Sequence, residues 1–210
     1  MTKTSIFLTA TLFAFALSSC SKPDDYNNNS SEDTTVSEVS INATSSTAWN
    51  YYSFAEDKVV GSADESEENN AVWAARKDWD IAIRRYNIRT NSGEFTSVNA
   101  KGGVYTFDKN TSFATVSSLP NGARFEEDKT ITSTGMGGSS SVIRSEATVI
   151  LFKENEDGSL VMPPVYLPAP VYIFRTADGN HYYKVEFTQY KDENDVAGHV
   201  KFNRAKVTEK

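Results

Sequence analysis

The stretch HYYKVEFTQY, residues 181–190, decides the fold class. Tyr183, Val185 and Phe187 alternate with Tyr182, Lys184, Glu186 and Thr188. A period of two sets apolar side chains on one face of an extended chain and polar ones on the other, which is the pattern of a half-buried strand. The same pattern recurs in WNYYSF at Trp49, WDIAIRRYNIRT from Trp79, GGVYTF from Gly102, VIRSEATVILF from Val142, PVYIFRT from Pro170 and GHVKFNRAKV from Gly198. Turn-forming groups separate these runs: Asn91-Ser92-Gly93, Pro120-Asn121-Gly122, Asp157-Gly158, Asp178-Gly179-Asn180 and residues 195–198. Only AVWAAR, residues 71–76, reads as helical, and it is too short for more than a turn or two. The expectation is an all-β domain of two packed antiparallel sheets with hairpin connections, its last three strands forming a meander.

The start of the chain carries an address. Lys3 supplies a positive charge, residues 6–17 form an apolar run too brief to span a bilayer, and Leu17-Ser18-Ser19-Cys20 closes it with small residues. Residues 1–19 therefore read as a lipoprotein signal peptide, with Cys20, the only cysteine, as the residue that receives lipid. The polar, acidic segment that follows, residues 20–43, is expected to be a disordered tether, and residues 44–210 a single domain. Removal of Lys3 leaves 20 Lys and Arg against 28 Asp and Glu, a charge of −8. That balance argues against nucleic acid and against anionic lipid surfaces as partners. Contact with a membrane is expected through the lipid anchor alone.

Catalytic signatures are absent: there is no H-E-x-x-H, G-x-S-x-G or P-loop, so no enzyme is expected. The acidic stretches ADESEENN, residues 63–70, and ENEDG, residues 154–158, lack the carboxylate order of a calcium loop and read as a solvated loop and a hairpin tip. His181 and His199 lie near strand starts beside tight turns and read as structural. Two methionines stand out. Met136 sits in TSTGMGGSSS, a glycine and serine loop, and Met162 in GSLVMPPVYLPAP, where Pro163 and Pro164 remove amide donors and make the segment an edge or an exposed apolar loop. Taken as residues alone, Met162 capping the core and Met136 merely exposed is the simpler account.

Several segments together change that account. The leader ending in Cys20, WNYYSFAEDKVV, KDWDIAIRRYNIRTNSGEF, LPNGARFEED and the closing YKVEFTQYKDENDVAGHVKFNRAKV resemble the HmuY family of haem-binding lipoproteins, residues 79–93 most specifically. The resemblance implies an all-β haemophore on the outer face of the outer membrane. Such a protein captures haem from host haemoproteins and passes it to a TonB-dependent outer-membrane receptor. Asp24 and Asp25 resemble the acidic export signal of such lipoproteins. Some relatives use methionines as axial ligands where the founding type uses histidines, which implies Met136 and Met162 as the haem iron ligands here. Haem offers one axial position on each face, and a thioether is a soft, neutral donor that favours ferrous iron. Tyr166 and the prolines are then expected against the ring, with Lys129 or Arg144 near the propionates. Homo-oligomerisation is left open. The alternative is a surface adhesin or glycan-binding β-sandwich using exposed tyrosines and tryptophans.

Overall fold

A computed structural model describes residues 35–135 and 138–209. The first sheet is five-stranded and antiparallel: β1 (Ser37–Asn42), β6 (Gly103–Thr106), β11 (Tyr172–Arg175), β12 (Tyr182–Lys191) and β13 (Ala197–Val207), in the order β1-β13-β12-β11-β6. The alternating stretch HYYKVEFTQY supplies β12, with Val185 and Phe187 in the core and the expected meander on either side. A bulge after Phe187 shifts the register, so that Tyr190 rather than Gln189 turns inward. The second sheet contains β2 (Ala48–Ser53), β3 (Lys58–Asp64), β4 (Ile81–Arg84) and β5 (Asn87–Thr90), in the order β3-β2-β4-β5.

The two sheets close on one apolar layer. Val39, Ile41, Val185, Val200 and Phe202 from the first meet Tyr52, Ile81, Ile83 and Ile88 from the second. Asp80 stitches the sheets at one end: its buried carboxylate accepts the backbone N–H of Phe54 at 2.8 Å and of Ala177 at 2.9 Å. The outer faces are covered as well. Phe113, Val116 and Leu119 pack on Ile173 and Val207, and helix α1 (Glu67–Ala74) lays Trp73 on Tyr51, ring on ring at 3.7 Å. With both faces covered, β4 is buried at every residue and does not alternate.

Several expectations are corrected. The chain is already a strand at Ser37, not at residue 44: Val39 and Ile41 of β1 face the core opposite Phe202 and Val200, so the tether of residues 20–43 and the domain start at 44 give way there. The run from Trp79 is two strands. Arg85, at φ 55, turns the chain between them, held by its N–H on Ala43 O and by Nη1 on the carbonyls of Thr44 and Ala197. These partners are distant in sequence, so no local pattern announces the turn. The acidic stretch at residues 63–70 is partly helical, because Ser66 accepts from the N–H of Asn69 and caps α1. Asn91 and Ser92 are buried and lead into the short helix α2 (Gly93–Thr96) rather than forming an exposed turn.

Candidate functional site

Two further antiparallel pairs stand beside the sheets. The first hairpin consists of β7 (Lys129–Gly135) and β8 (Gly138–Arg144), in register from Lys129 opposite Arg144 to Gly135 opposite Gly138. The glycine and serine stretch expected as a loop is thus largely strand. The ribbon runs about 20 Å from root to glycines, and residues 138–141 are exposed. The second hairpin consists of β9 (Ile150–Phe152) and β10 (Tyr166–Pro168). Its intervening chain is pinned by Lys153 N–H on Val165 O at 2.9 Å and Val161 N–H on Lys153 O at 3.0 Å. A bridge between Glu154 and Leu160 closes a tip that contains the acidic stretch at residues 154–158, as expected.

Both hairpins are rooted on the run of residues 79–93. At the base of β7, the buried carboxylate of Asp128 accepts Thr90 N–H at 2.9 Å, Thr90 Oγ1 at 2.8 Å and Thr96 Oγ1 at 2.7 Å. Burial pushes that carboxyl up to about 6, while the hydrogen bonds and the nearby Arg89 pull the other way. At the base of β8, Arg89 Nε donates to Ile143 O at 2.7 Å, and Ser145 donates both N–H and hydroxyl to Ile88 O. The second hairpin is rooted by aromatic rings. Tyr86 meets Phe152 edge-on at 5.0 Å, Phe152 meets Tyr166 at 5.5 Å, and Tyr166 meets Tyr190 at 5.3 Å. An open cleft of about 850 Å³ lies along residues 106–111, with Glu146, Leu151, Pro170 and Tyr172 completing its wall.

Met162 is held out to solvent, 75% exposed, on the return limb of the second hairpin beside exposed Leu160 and Val165. It does not cap the core. Its bond to Pro163 is cis. Met136 and Cys20 lie outside the described residues. Lys129 is ion-paired with Glu146 at 2.5 Å, and half-buried Arg144 donates to Ser145 O; both stand at the root of the first hairpin, the far end from its glycines. Burial holds the Arg144 guanidinium below its ordinary value. Tyr166, expected against a ring, is half-buried and meets Phe152 and Tyr190 edge-on. His181 and His199 belong to the five-stranded sheet and its turn: His181 N–H bonds Thr176 Oγ1, and His199 Nε2 lies 3.6 Å from Asp192. All three tryptophans, Trp49, Trp73 and Trp79, are buried, which removes them as platforms for stacking sugars.

Among the described residues no cluster of His, Cys, Asp and Glu could hold a metal ion, and no helix is long and apolar enough to cross a membrane. Sequence reasoning missed Asp128 and Arg89. One sits in an acidic run and the other among three arginines between Arg84 and Arg89, and nothing in either spacing marks which members are buried.

A family model described as "HmuY protein" matches residues 45–203. Among curated proteins no match is found. Of solved structures, a protein from Bacteroides vulgatus assigned as HmuY-like and heme-binding aligns with a TM-score of 0.57 at 23% identity, over 82% of this chain and 92% of that one. The apo HmuY analog of Tannerella forsythia aligns with a TM-score of 0.53 at 24% identity, over 84% of this chain and 98% of its own. A lipoprotein from Bacteroides fragilis gives 0.57 at 21%, over 82% and 91%. At such identities these structures speak for the shared all-β fold.

Proposed function

Because the chain belongs to the HmuY family, whose members bind haem and are carriers rather than enzymes, we propose that it is a surface haemophore that grips haem between its two hairpins through the thioethers of Met136 and Met162. The observation that carries this reading is Met162: an unbranched apolar side chain, 75% exposed, on a limb whose neighbours Leu160 and Val165 are exposed too. Burying such a patch under a flat apolar macrocycle recovers hydrophobic free energy that the free protein forgoes. The sulfur then supplies an axial donor from one hairpin, and the first hairpin, carrying Met136 between its glycines, supplies the other.

When bound, haem offers an iron with two axial positions, and neutral thioethers hold its ferrous form more tightly than its ferric form. The chain's part is to hold the two hairpins at a fixed spacing and to exclude water from the macrocycle faces. A thioether takes up no proton in the accessible range, so the grip survives mild acid. Cys20 anchors the protein by lipid to the outer face of the outer membrane, where haem passes from host haemoproteins to this chain and on to a TonB-dependent receptor.

Titration of haemin under air and again under dithionite tests the reading. A Soret shift with sharp α and β bands on reduction, weakened in both Met136→Ala and Met162→Ala, is the expected result. An unchanged free-haem spectrum refutes haem binding, and two variants that bind like the wild type refute the ligand assignment.

A further inference from the structure

The first hairpin is not part of either main sheet, yet a grip on a rigid macrocycle requires its limbs to hold their place. A side chain of β5 reaches across to β8. Arg89 is 3% exposed, and its guanidinium is used along its whole edge. Nε donates to the carbonyl of Ile143 in β8 at 2.7 Å, Nη1 donates to Asn70 Oδ1 in α1 at 3.1 Å, and Nη2 donates to Glu65 Oε1. Its flat face lies 4.2 Å from the centre of the Trp49 ring. Arg84 stacks on the same ring at 4.5 Å and donates to the other oxygen of Glu65. One half-buried carboxylate therefore locks two guanidinium groups on one indole, and the remaining donor of one of them points at the hairpin.

We infer that Arg89 is a positioning residue for the proposed haem grip: anchored by Glu65, Asn70 and Trp49, it fixes through Ile143 the limb of the first hairpin that runs from Arg144 to Gly138. The inference rests on the haem reading for its ligand, but the placement of the hairpin is a property of the free protein. Lysine cannot substitute. A guanidinium is a rigid planar fork that aims Nε one way while both Nη groups are held elsewhere, whereas an ammonium is a point charge on a flexible stem.

Amide hydrogen exchange on the full chain without haem tests the placement. In Arg89→Lys, amides of residues 138–144 are expected to exchange roughly tenfold faster or more, the loss of one charge-assisted hydrogen bond, while those of β12 and β13 keep wild-type protection. Reduced haemin then binds the variant roughly tenfold more weakly, with a spectrum shifted from six-coordinate toward five-coordinate ferrous iron. Should Arg89→Lys fail to fold, Glu65→Gln, which loosens the same guanidinium from a half-exposed anchor, carries the same expectations. Unchanged exchange in residues 138–144, or loosening shared equally by β12 and β13, overturns the inference. A wild type that leaves the haemin spectrum unaltered refutes the haem reading instead, and the exchange comparison still decides whether Arg89 places the hairpin.

Discussion

Replacing Asp128 with asparagine isolates the energetic consequence of burying a carboxylate at the root of the first hairpin. The folded protein pushes this carboxyl from 3.8 up to about 6, chiefly by burial. At about 1.4 kcal/mol per tenfold change in proton affinity, ionising this carboxyl costs about 3 kcal/mol more in the folded protein than in the unfolded chain. A carboxyl that holds its proton more tightly when folded stabilises the fold most where both states are protonated, below about pH 4, and that contribution is lost as pH rises toward 6. Asparagine keeps the shape. Its oxygen still accepts from Thr90 N–H and Thr90 Oγ1, and its amide can donate to Thr96 Oγ1, but it does not titrate. Urea unfolding of both proteins from pH 4 to pH 7 gives the stability of the wild type minus that of Asp128→Asn. The difference is expected to fall by about 2–2.5 kcal/mol between pH 4 and pH 7, the unfolded carboxyl being already partly ionised at pH 4, because other titrating groups cancel between the two proteins. A difference that stays flat or rises with pH refutes the claim that desolvation outweighs the three hydrogen bonds and the nearby Arg89.

Three other outcomes are expected. Mild peroxide converts exposed Met162 to its sulfoxide and should abolish the six-coordinate ferrous spectrum, and a methionine sulfoxide reductase should restore it; unaffected binding after full oxidation removes the thioether ligand. In Gly198→Ala the new Cβ would lie 2.7 Å from Thr44 Cα at a φ of +102°, so the thermal midpoint should fall by the equivalent of about 1–3 kcal/mol. Trp73→Ala removes the ring stacked on Tyr51 at 3.7 Å and should cost about 3–5 kcal/mol, with loss of near-ultraviolet ellipticity.

The run of residues 79–93, the most specific piece of the family resemblance, contains none of the proposed ligands. It is a mounting bracket: Tyr86 seats the second hairpin, Ile88 and Arg89 seat β8, and Thr90 seats Asp128 at the foot of β7. Its sequence announces strands through Ile81, Ile83 and Ile88, but gives no sign of the turn at Arg85, whose left-handed backbone is held by carbonyls of Ala43, Thr44 and Ala197. Likewise β1 reads in sequence as a continuation of the polar tether, because two apolar residues in six are too few to mark a strand until Val200 and Phe202 stand opposite them.

The all-β class, the closing meander and the chemical character of the proposed ligands were determined by the order of residues alone. Alternation with a period of two is a local property of a chain with one face in a core, and sulfur is soft wherever it stands. Tertiary structure alone decided that Met162 faces solvent rather than the core. It also selected Arg89 and Asp128, from many arginines and carboxylates, to hold the hairpin. Both outcomes depend on backbone groups dozens of residues away, brought near only when the sheets close, and burial of a charge has no signature until its partners arrive.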